Sequence, residues 1–270
     1  MRVSFEFFMR SFDLLGQLHG DAISASIIMT LWHDRLRGPG TRPMAVRELS
    51  RNLNLPYETV RRHVRDLEHG GACAVKNSGI TVADVFHGSA RALRMLRKIY
   101  ANAVRLLVDL TRVGAVALPP ASRRAAPSGR LTKEQTVIAV AAMGLLLAGV
   151  RLMRDFWSGD LLKGLVFTAI WTANVKHVTN TSRAATSSVL PDDMRQPVSV
   201  LAISRSLRLP YETVRRHADM LVREGLCVRA GRRGVFVPTQ MLERTMAGSV
   251  AGHHLVVAFL DELRQGGVRI

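Results

Sequence analysis

The chain has 270 residues, about twice the length of a typical single domain, so we expect two domains. Hydrophobic residues make up 47% and charged residues 22% of the sequence, which excludes a disordered or low-complexity chain. The formal net charge of +17 indicates an acidic partner such as nucleic acid, although an Arg-rich background composition would also raise it.

The chain begins with two apolar segments that predict helices over residues 5–18 and 21–36. Charged residues interrupt the first segment, and no continuous apolar signal region follows Met1. We therefore expect a cytoplasmic protein.

A pair of short amphipathic helices is predicted next. Apolar residues recur at helical spacing over residues 45–53 and again over 56–69. Pro56 separates the two helices, because the residue before a proline avoids helical geometry and proline suits the first turn of a helix.

A small hairpin and a long helix complete the first unit. Short apolar runs at 72–75 and 80–82 flank a turn over 76–79, which predicts two antiparallel strands. Cys73 lies in the first strand, where it is expected to pack as a small apolar residue. A long helix is predicted from 84 to 113.

A linker and a second unit follow. Residues 116–130 are rich in Pro, Ala and Ser and lack apolar periodicity, so we place the boundary of a second unit, 131–270, there. Helices are predicted over 133–157 and 160–177. The uncharged apolar run at 136–150 is shorter than the roughly 20 residues of a membrane span, so we expect a buried helix and no membrane partner.

The second unit repeats the first. The sequence LPYETVRRH at 55–63 recurs unchanged at 209–217, which chance cannot supply. The copy predicts helices over 199–207 and 210–223, a hairpin over 226–237 and a long helix over 240–264. An internal duplication is therefore expected, with extra residues inserted within 179–195.

The motifs VRELS at 46–50, LPYETV at 55–60 and RRHV at 61–64 resemble those of bacterial winged helix-turn-helix transcriptional regulators, broadly of the MarR, GntR and IclR kind. The resemblance covers under a third of the chain and implies a fold class rather than one family. It implies helix-turn-helix cores at 45–69 and 199–223 and wings at 72–82 and 226–237. It also implies a recognition helix in the major groove of double-stranded DNA, with the wing against the adjacent backbone.

The outward residues of the second core helix suit the reading of base edges. Arginine forks match guanine or phosphate oxygens, threonine can contact a thymine methyl, and glutamate accepts from cytosine N4 or orients an arginine. A carboxylate is repelled by phosphate, so the two glutamates favour sequence selectivity. The expected base-reading residues are Tyr57, Glu58, Thr59, Arg61, Arg62, Tyr211, Glu212, Thr213, Arg215 and Arg216.

Other polar residues near these helices are expected to grip the DNA backbone without reading sequence. They are Ser50, Arg51, Arg65, Lys76, Ser204, Arg205, Arg232 and Arg233. A helix surface rich in Arg and Glu is usually only a solvated face, and the unchanged duplication of this surface argues against that interpretation.

The remaining candidates for chemistry favour structural interpretations. His63 and His217 are expected to pack or to contact phosphate, and the adjacent His253 and His254 lack partners at metal-ligand spacing. Cys227, like its counterpart, is expected to be a core residue. No nucleophile, paired carboxylates or phosphate-binding glycine loop converge, so we expect no enzyme activity, no cofactor and no metal.

The sequence thus predicts a mainly α protein with small β-hairpin wings: two tandem winged helix-turn-helix domains with extra flanking helices, forming a pseudo-twofold intramolecular dimer. The predicted function is sequence-specific DNA binding at an imperfect palindrome and regulation of transcription at the bacterial nucleoid. The alternative is a winged-helix interaction or architectural module that does not read sequence. Further self-association, any small-molecule effector and the sign of regulation are left open.

Overall fold

The structure is a computed structural model that describes residues 2–19, 21–38, 42–117, 129–177, 191–231, 234–241 and 246–270. Eleven α-helices and two two-stranded antiparallel hairpins make up the regular structure of these residues. The prediction of a mainly α protein with small hairpins is confirmed.

The first half contains six helices and one hairpin. In chain order they are α1 (Arg2–His19), α2 (Ala22–Arg37), α3 (Val46–Leu53), α4 (Tyr57–His69), β1 (Cys73–Lys76), β2 (Gly79–Val82), α5 (Asp84–His87) and α6 (Ala90–Arg112). In the hairpin Cys73 pairs with Val82 and Lys76 pairs with Gly79, so the connecting turn is shorter than the sequence predicted.

The second half repeats the order of α1 to α4, the hairpin and the long final helix. In chain order its members are α7 (Lys133–Phe156), α8 (Leu161–Val175), α9 (Val200–Leu207), α10 (Tyr211–Arg223), β3 (Val228–Arg229), β4 (Val235–Phe236) and α11 (Met246–Gln265). A single 3₁₀ turn, Asp192–Met194, precedes α9. The predicted insertion at 179–195 and the predicted linker lie largely outside the described residues.

The prediction of one helix from 84 to 113 is wrong, because the segment forms two helices. α5 ends at His87, and Gly88 is its C-cap. Ser89 is the N-cap of α6 and accepts a hydrogen bond from the backbone N–H of Ala92. A serine cap satisfies an otherwise unpaired amide, which favours a new helix start over a continuous helix.

α7 lies in the core of the molecule. By length and composition alone it could cross a membrane, but 61% of its most apolar window is buried, against α2, α6 and α11. Burial of this kind is typical of the core helix of a soluble protein, and the prediction of a buried helix is confirmed. α7 is longer than the apolar run, because it extends from Thr132, which caps it, to Phe156.

One hydrophobic core joins the two halves. Buried side chains of α1, α2 and α6 form a single cluster with those of α7 and α11. A smaller cluster packs α8 against α9, α10 and β4, together with Cys227, which directly precedes β3. The domain boundary at 116–130 stays a prediction, and the two units it separates share their largest core.

The contacts between the halves are reciprocal. α1 packs on α8 and α9, while its counterpart α7 packs on α2 and α3. Phe8 of α1 lies so close to Gly149 of α7 that a Cβ at that position would fall 1.8 Å from the Phe8 ring. Each half therefore contributes its first helix to the support of the other half.

Candidate nucleic-acid interface

α4 and α10 present matching outer faces because their inner faces are fixed by the same apolar spacing. Val60, Val64 and Leu67 are buried in α4, and Val214 and Leu221 occupy the equivalent positions in α10. A proline at the N-cap begins each helix, as predicted. The residues between these buried positions must therefore face outward.

The turn that precedes each helix is built identically. The hydroxyl of Ser50 donates to the carbonyl oxygen of Leu55 at 2.5 Å, and that of Ser204 donates to Leu209 at 2.8 Å. The sequence predicts that both serines contact the DNA backbone. Their hydroxyls are committed to the turn and Ser204 is buried, so we leave them out of the candidate surface.

The left-handed residue in each turn contacts the opposite half. Asn54 (φ 48°) and Arg208 (φ 53°) are equivalent residues that end α3 and α9. The Asn54 amide donates to Asp155 at the end of α7 at 2.7 Å, and Arg208 pairs with Asp13 of α1 at 2.9 Å. These reciprocal contacts hold each helix pair against the first helix of the other half. The sequence did not predict them.

The predicted base-reading residues do lie together on each outer face. Tyr57 and Tyr211 are 43% and 45% exposed at the first turn of their helices, far more than tyrosines of a packed core. Both glutamates and all four arginines of the set are exposed, and the two threonines are half-buried.

Within each face a glutamate orients an arginine one turn ahead. Nε of Arg61 donates to Glu58 at 2.9 Å, and Nε of Arg215 donates to Glu212 at 2.8 Å. Arg62 and Arg216 make no ion pair or hydrogen bond within the part of the chain that the structure describes. Each face therefore holds one oriented guanidinium and one uncommitted guanidinium.

The two helices differ in charge beyond their shared residues: Arg65 corresponds to Asp219, and Asp66 and Glu68 correspond to Met220 and Val222. Arg65 is exposed in the first half, whereas Asp219 at the equivalent position pairs with Arg215 at 3.2 Å and with Arg229 of β3. The hydrogen bond that Arg215 donates to Glu212, together with the negative charges of Glu212 and Asp219, raises the pKa of the Arg215 guanidinium. Asp219 thus neutralises part of the second face and ties its helix to its hairpin.

The residues expected to grip the DNA backbone flank these faces. Arg51, Arg205 and Lys76 are exposed at the ends of α3, α9 and β1. Arg232 and Arg233 lie outside the described residues. On the second face an open groove of about 610 Å³ runs between α10 and β3, and Glu212, Arg215, Arg216 and Arg229 line it.

The histidines of the repeat hold α4 and α10 against the helices behind them. Nδ1 of His63 lies 2.9 Å from the Ser24 hydroxyl and 3.7 Å from the carboxylate of Asp21. Nε2 of His217, which is 3% exposed, lies 3.6 Å from Asp160. Of the two expected roles, packing is observed for His217, and His63 is half-buried. The two carboxylates belong to the N-cap residues of α2 and α8. In the sequence, the Gly-Asp pair that precedes both helices is the feature that could have predicted these contacts.

Both cysteines are buried and free, and burial raises the pKa of each thiol to about 12. Such thiols are poor nucleophiles. Within the described ranges, no three His, Cys, Asp or Glu side chains are grouped as metal ligands would be.

No family model, curated protein or solved structure matches this chain. The functional argument therefore rests on the residues and geometry described above.

Proposed function

We propose that this protein is a sequence-specific double-stranded DNA-binding transcriptional regulator that acts as a single-chain pseudo-dimer. The observation that carries the proposal is the pair of identical Tyr-Glu-Thr-Arg-Arg faces, each exposed and each with the same oriented Glu-Arg pair. A helix face that only contacts solvent does not require the same five residues in both copies.

The chemistry of each face suits the major groove. The uncommitted Arg62 and Arg216 can donate two hydrogen bonds to guanine O6 and N7. The glutamates fix the direction of the neighbouring guanidinium and oppose a purely electrostatic grip on phosphate. The net charge of +17 supplies the general attraction to a polyanion.

The hairpins support the assignment to winged helix-turn-helix domains. β2 forms an isolated bridge from Ile80 to Met44, just before α3, and β4 forms the equivalent bridge from Val235 to Val198. Each hairpin therefore lies beside its own helix pair, which supports its assignment as a wing.

The reciprocal packing of α1 and α7 supports a pseudo-twofold relation between the two faces. Equivalent surfaces that exchange equivalent contacts are typical of a twofold interface. Two identical faces related in this way require inverted half-sites, separated by about one helical turn, roughly 34 Å. The differences at Arg65 and Asp219 make an imperfect palindrome the expected site.

Selection of bound sequences from a random DNA pool tests the proposal. The expected result is an inverted repeat, with footprint protection over both half-sites and one protein chain per duplex in a gel-shift titration. A variant with Arg62 and Arg216 both changed to Ala should fail to enrich the same repeat.

Direct repeats or a single half-site would contradict the pseudo-dimer. The absence of any enriched motif, with DNA retained only at low salt, would favour the alternative of an architectural module.

A further inference from the structure

Each proposed recognition helix reaches the other half of the molecule through the turn that precedes it. α4 packs mainly on α2 and α3, and α10 packs mainly on α8 and α9, so both rest on helices of their own half. One helix earlier in the chain, α3 lies on α7 and α9 lies on α1. The turns at the ends of α3 and α9 therefore join each recognition helix to the opposite half.

The first turn is held by two hydrogen bonds from the end of α7. Nε of Arg154 donates to the carbonyl oxygen of Asn54 at 2.8 Å, and the Asn54 side-chain amide donates to the carboxylate of Asp155 at 2.7 Å. Arg154 is buried. Loss of its acceptor would leave a buried charged donor without a partner, which is unfavourable. The first turn is therefore held firmly.

The second turn is held by an exposed ion pair. Nε of Arg208 lies 2.9 Å from the carboxylate of Asp13 on α1, and the Arg208 side chain is 64% exposed. Exposed ion pairs are weak because water and salt screen both charges. The second recognition helix is therefore held across the halves less firmly than the first.

The two contacts are equivalent in place but differ in chemistry. Asn54 and Arg208 occupy the same position of the repeat, and both have left-handed backbone. When the N-cap residues of α2 and α8 are aligned, Leu15 of α1 stands where α7 has Arg154. Leucine cannot donate a hydrogen bond, so α1 offers the second turn no counterpart of the buried arginine contact.

Movement of either turn should carry its recognition helix with it. A serine hydroxyl bonds across each turn, from Ser50 or Ser204, and a proline begins the next helix at once. Two half-sites on DNA separate by about 3.4 Å for each added base pair, since roughly 10 base pairs span one turn of about 34 Å. A small displacement of one recognition helix is therefore comparable to a change of one base pair.

We propose that these contacts position the two recognition helices and thereby set the spacing between half-sites that the protein accepts. Arg154 and Asp155 fix the first helix. Asp13 restrains the second helix through Arg208, and the weaker restraint sets how far the spacing can vary. The control of spacing rests on the proposed function, whereas the positioning of the helices does not.

The first test varies the DNA spacer. Binding to the selected inverted repeat is compared with binding to duplexes whose spacer is one base pair longer or shorter. We expect the unaltered protein to bind the altered spacers about tenfold more weakly, because the DNA must be deformed to fit. Removal of any carboxylate raises affinity for all DNA, so the ratio between spacers is the readout.

Three variants remove the contacts, and a fourth is their control. Asp13→Ala should lower the spacer ratio by roughly threefold, and Asp155→Ala should lower it less, because Arg154 still holds the first turn. Arg154→Met keeps the buried stem without the donor and should abolish most of the ratio. Asp261→Ala removes an exposed carboxylate of α11 and should leave the ratio unchanged.

The second test needs no DNA. Spin labels attached after Glu68→Cys on α4 and Arg223→Cys on α10, both exposed positions, report the distance between the two helices. We expect a narrow distribution of distances that Asp13→Ala broadens and Asp261→Ala does not. Labelling of the protein without the two added thiols is the blank for the buried Cys73 and Cys227.

An unchanged distance distribution in Asp13→Ala and Asp155→Ala, or an equal broadening by Asp261→Ala, overturns the proposed positioning. These two variants decide the matter if Arg154→Met fails to fold. Broadened distances with an unchanged spacer ratio overturn the control of spacing alone. If the protein binds no DNA, the proposed function fails, while the label distances still decide whether the contacts position the helices.

Discussion

Six exposed arginines on and beside the two faces have different surroundings, and this difference separates their expected roles. Arg61 and Arg215 are held by glutamates, whereas Arg62 and Arg216 are uncommitted, and Arg51 and Arg205 lie at the ends of α3 and α9. Guanidinium groups aimed at a groove read bases, and those at its margin contact phosphate.

Replacement of Arg62 or Arg216 with Ala is expected to weaken binding to the selected site by about 1 to 3 kcal/mol and to relax sequence preference at defined positions. Replacement of Arg51 or Arg205 with Ala should weaken all sequences alike and lower the salt slope by about one. Titrations of specific and random duplexes at several salt concentrations measure both effects. Equal losses on both duplexes for all four variants would leave only nonspecific binding.

Asp219 offers a second test at the residue scale. Its carboxylate engages Arg215 and Arg229, so Asp219→Ala should free Arg229 for phosphate, while Glu212 still holds Arg215. We expect tighter binding to every sequence and a salt slope larger by about one. Asp66→Ala removes an exposed carboxylate of α4 and serves as the control. A gain no larger than that of Asp66→Ala would show that Asp219 does not restrain these arginines.

The buried ring of His33 predicts a pH dependence of stability. Its pKa in the folded protein is about 4, below the unfolded value near 6.5, so the unfolded state binds the proton first and stability falls as pH decreases through this window. The loss approaches roughly 3 kcal/mol at pH 4. The positive charges of Arg37 and Arg151 lower this pKa further, after the larger effect of burial.

Urea unfolding at pH 7 and pH 4 measures this contribution. His33→Gln should lose less stability between the two pH values than the unaltered protein does. His253→Gln, at an exposed histidine of α11, should behave like the unaltered protein. Parallel losses in all three would assign the acid sensitivity to other groups.

At the scale of elements, sequence patterns predicted most helix bounds within one to three residues, because apolar spacing and proline positions act locally. The break between α5 and α6 was missed because Ser89 lies within a segment of continuous helical character. The reciprocal contacts of Asn54 and Arg208 were missed for another reason. Their partners, Asp155 and Asp13, are distant in sequence and belong to the other half.

The packing of α1 on α7 gives a prediction for these elements. Gly149→Ala places a methyl group inside the ring of Phe8 and should destabilise the protein by about 1 to 3 kcal/mol. Gly16→Ala, in open space on α1, should be neutral or stabilising. Thermal unfolding measures both changes.

The contact itself is isolated by a double-mutant cycle. In a Phe8→Ala background, Gly149→Ala should cause little further loss of stability. An undiminished loss in that background would mean that Gly149 is constrained by something other than the opposite half.

At the scale of the whole molecule, the shared core predicts that neither half is independent. A fragment of residues 1–117 would expose the apolar faces of α1, α2 and α6 that pack against α7 and α11 in the full chain. We expect this fragment to aggregate or self-associate and to lack cooperative unfolding as a monomer. Sedimentation and thermal unfolding test this. A monomeric fragment with a sharp transition would support two autonomous domains.

The sequence by itself determined the duplication, the order of the helices and hairpins, and the residues of the two candidate reading faces. These features follow from local apolar spacing and from an exact internal repeat, both of which a linear chain displays. Tertiary structure alone decided that the halves share one core, that Ser50 and Ser204 serve the turns, and that a cavity forms beside His33. Each of these depends on side chains that meet across long sequence separations, and no periodicity within a single segment specifies such a meeting.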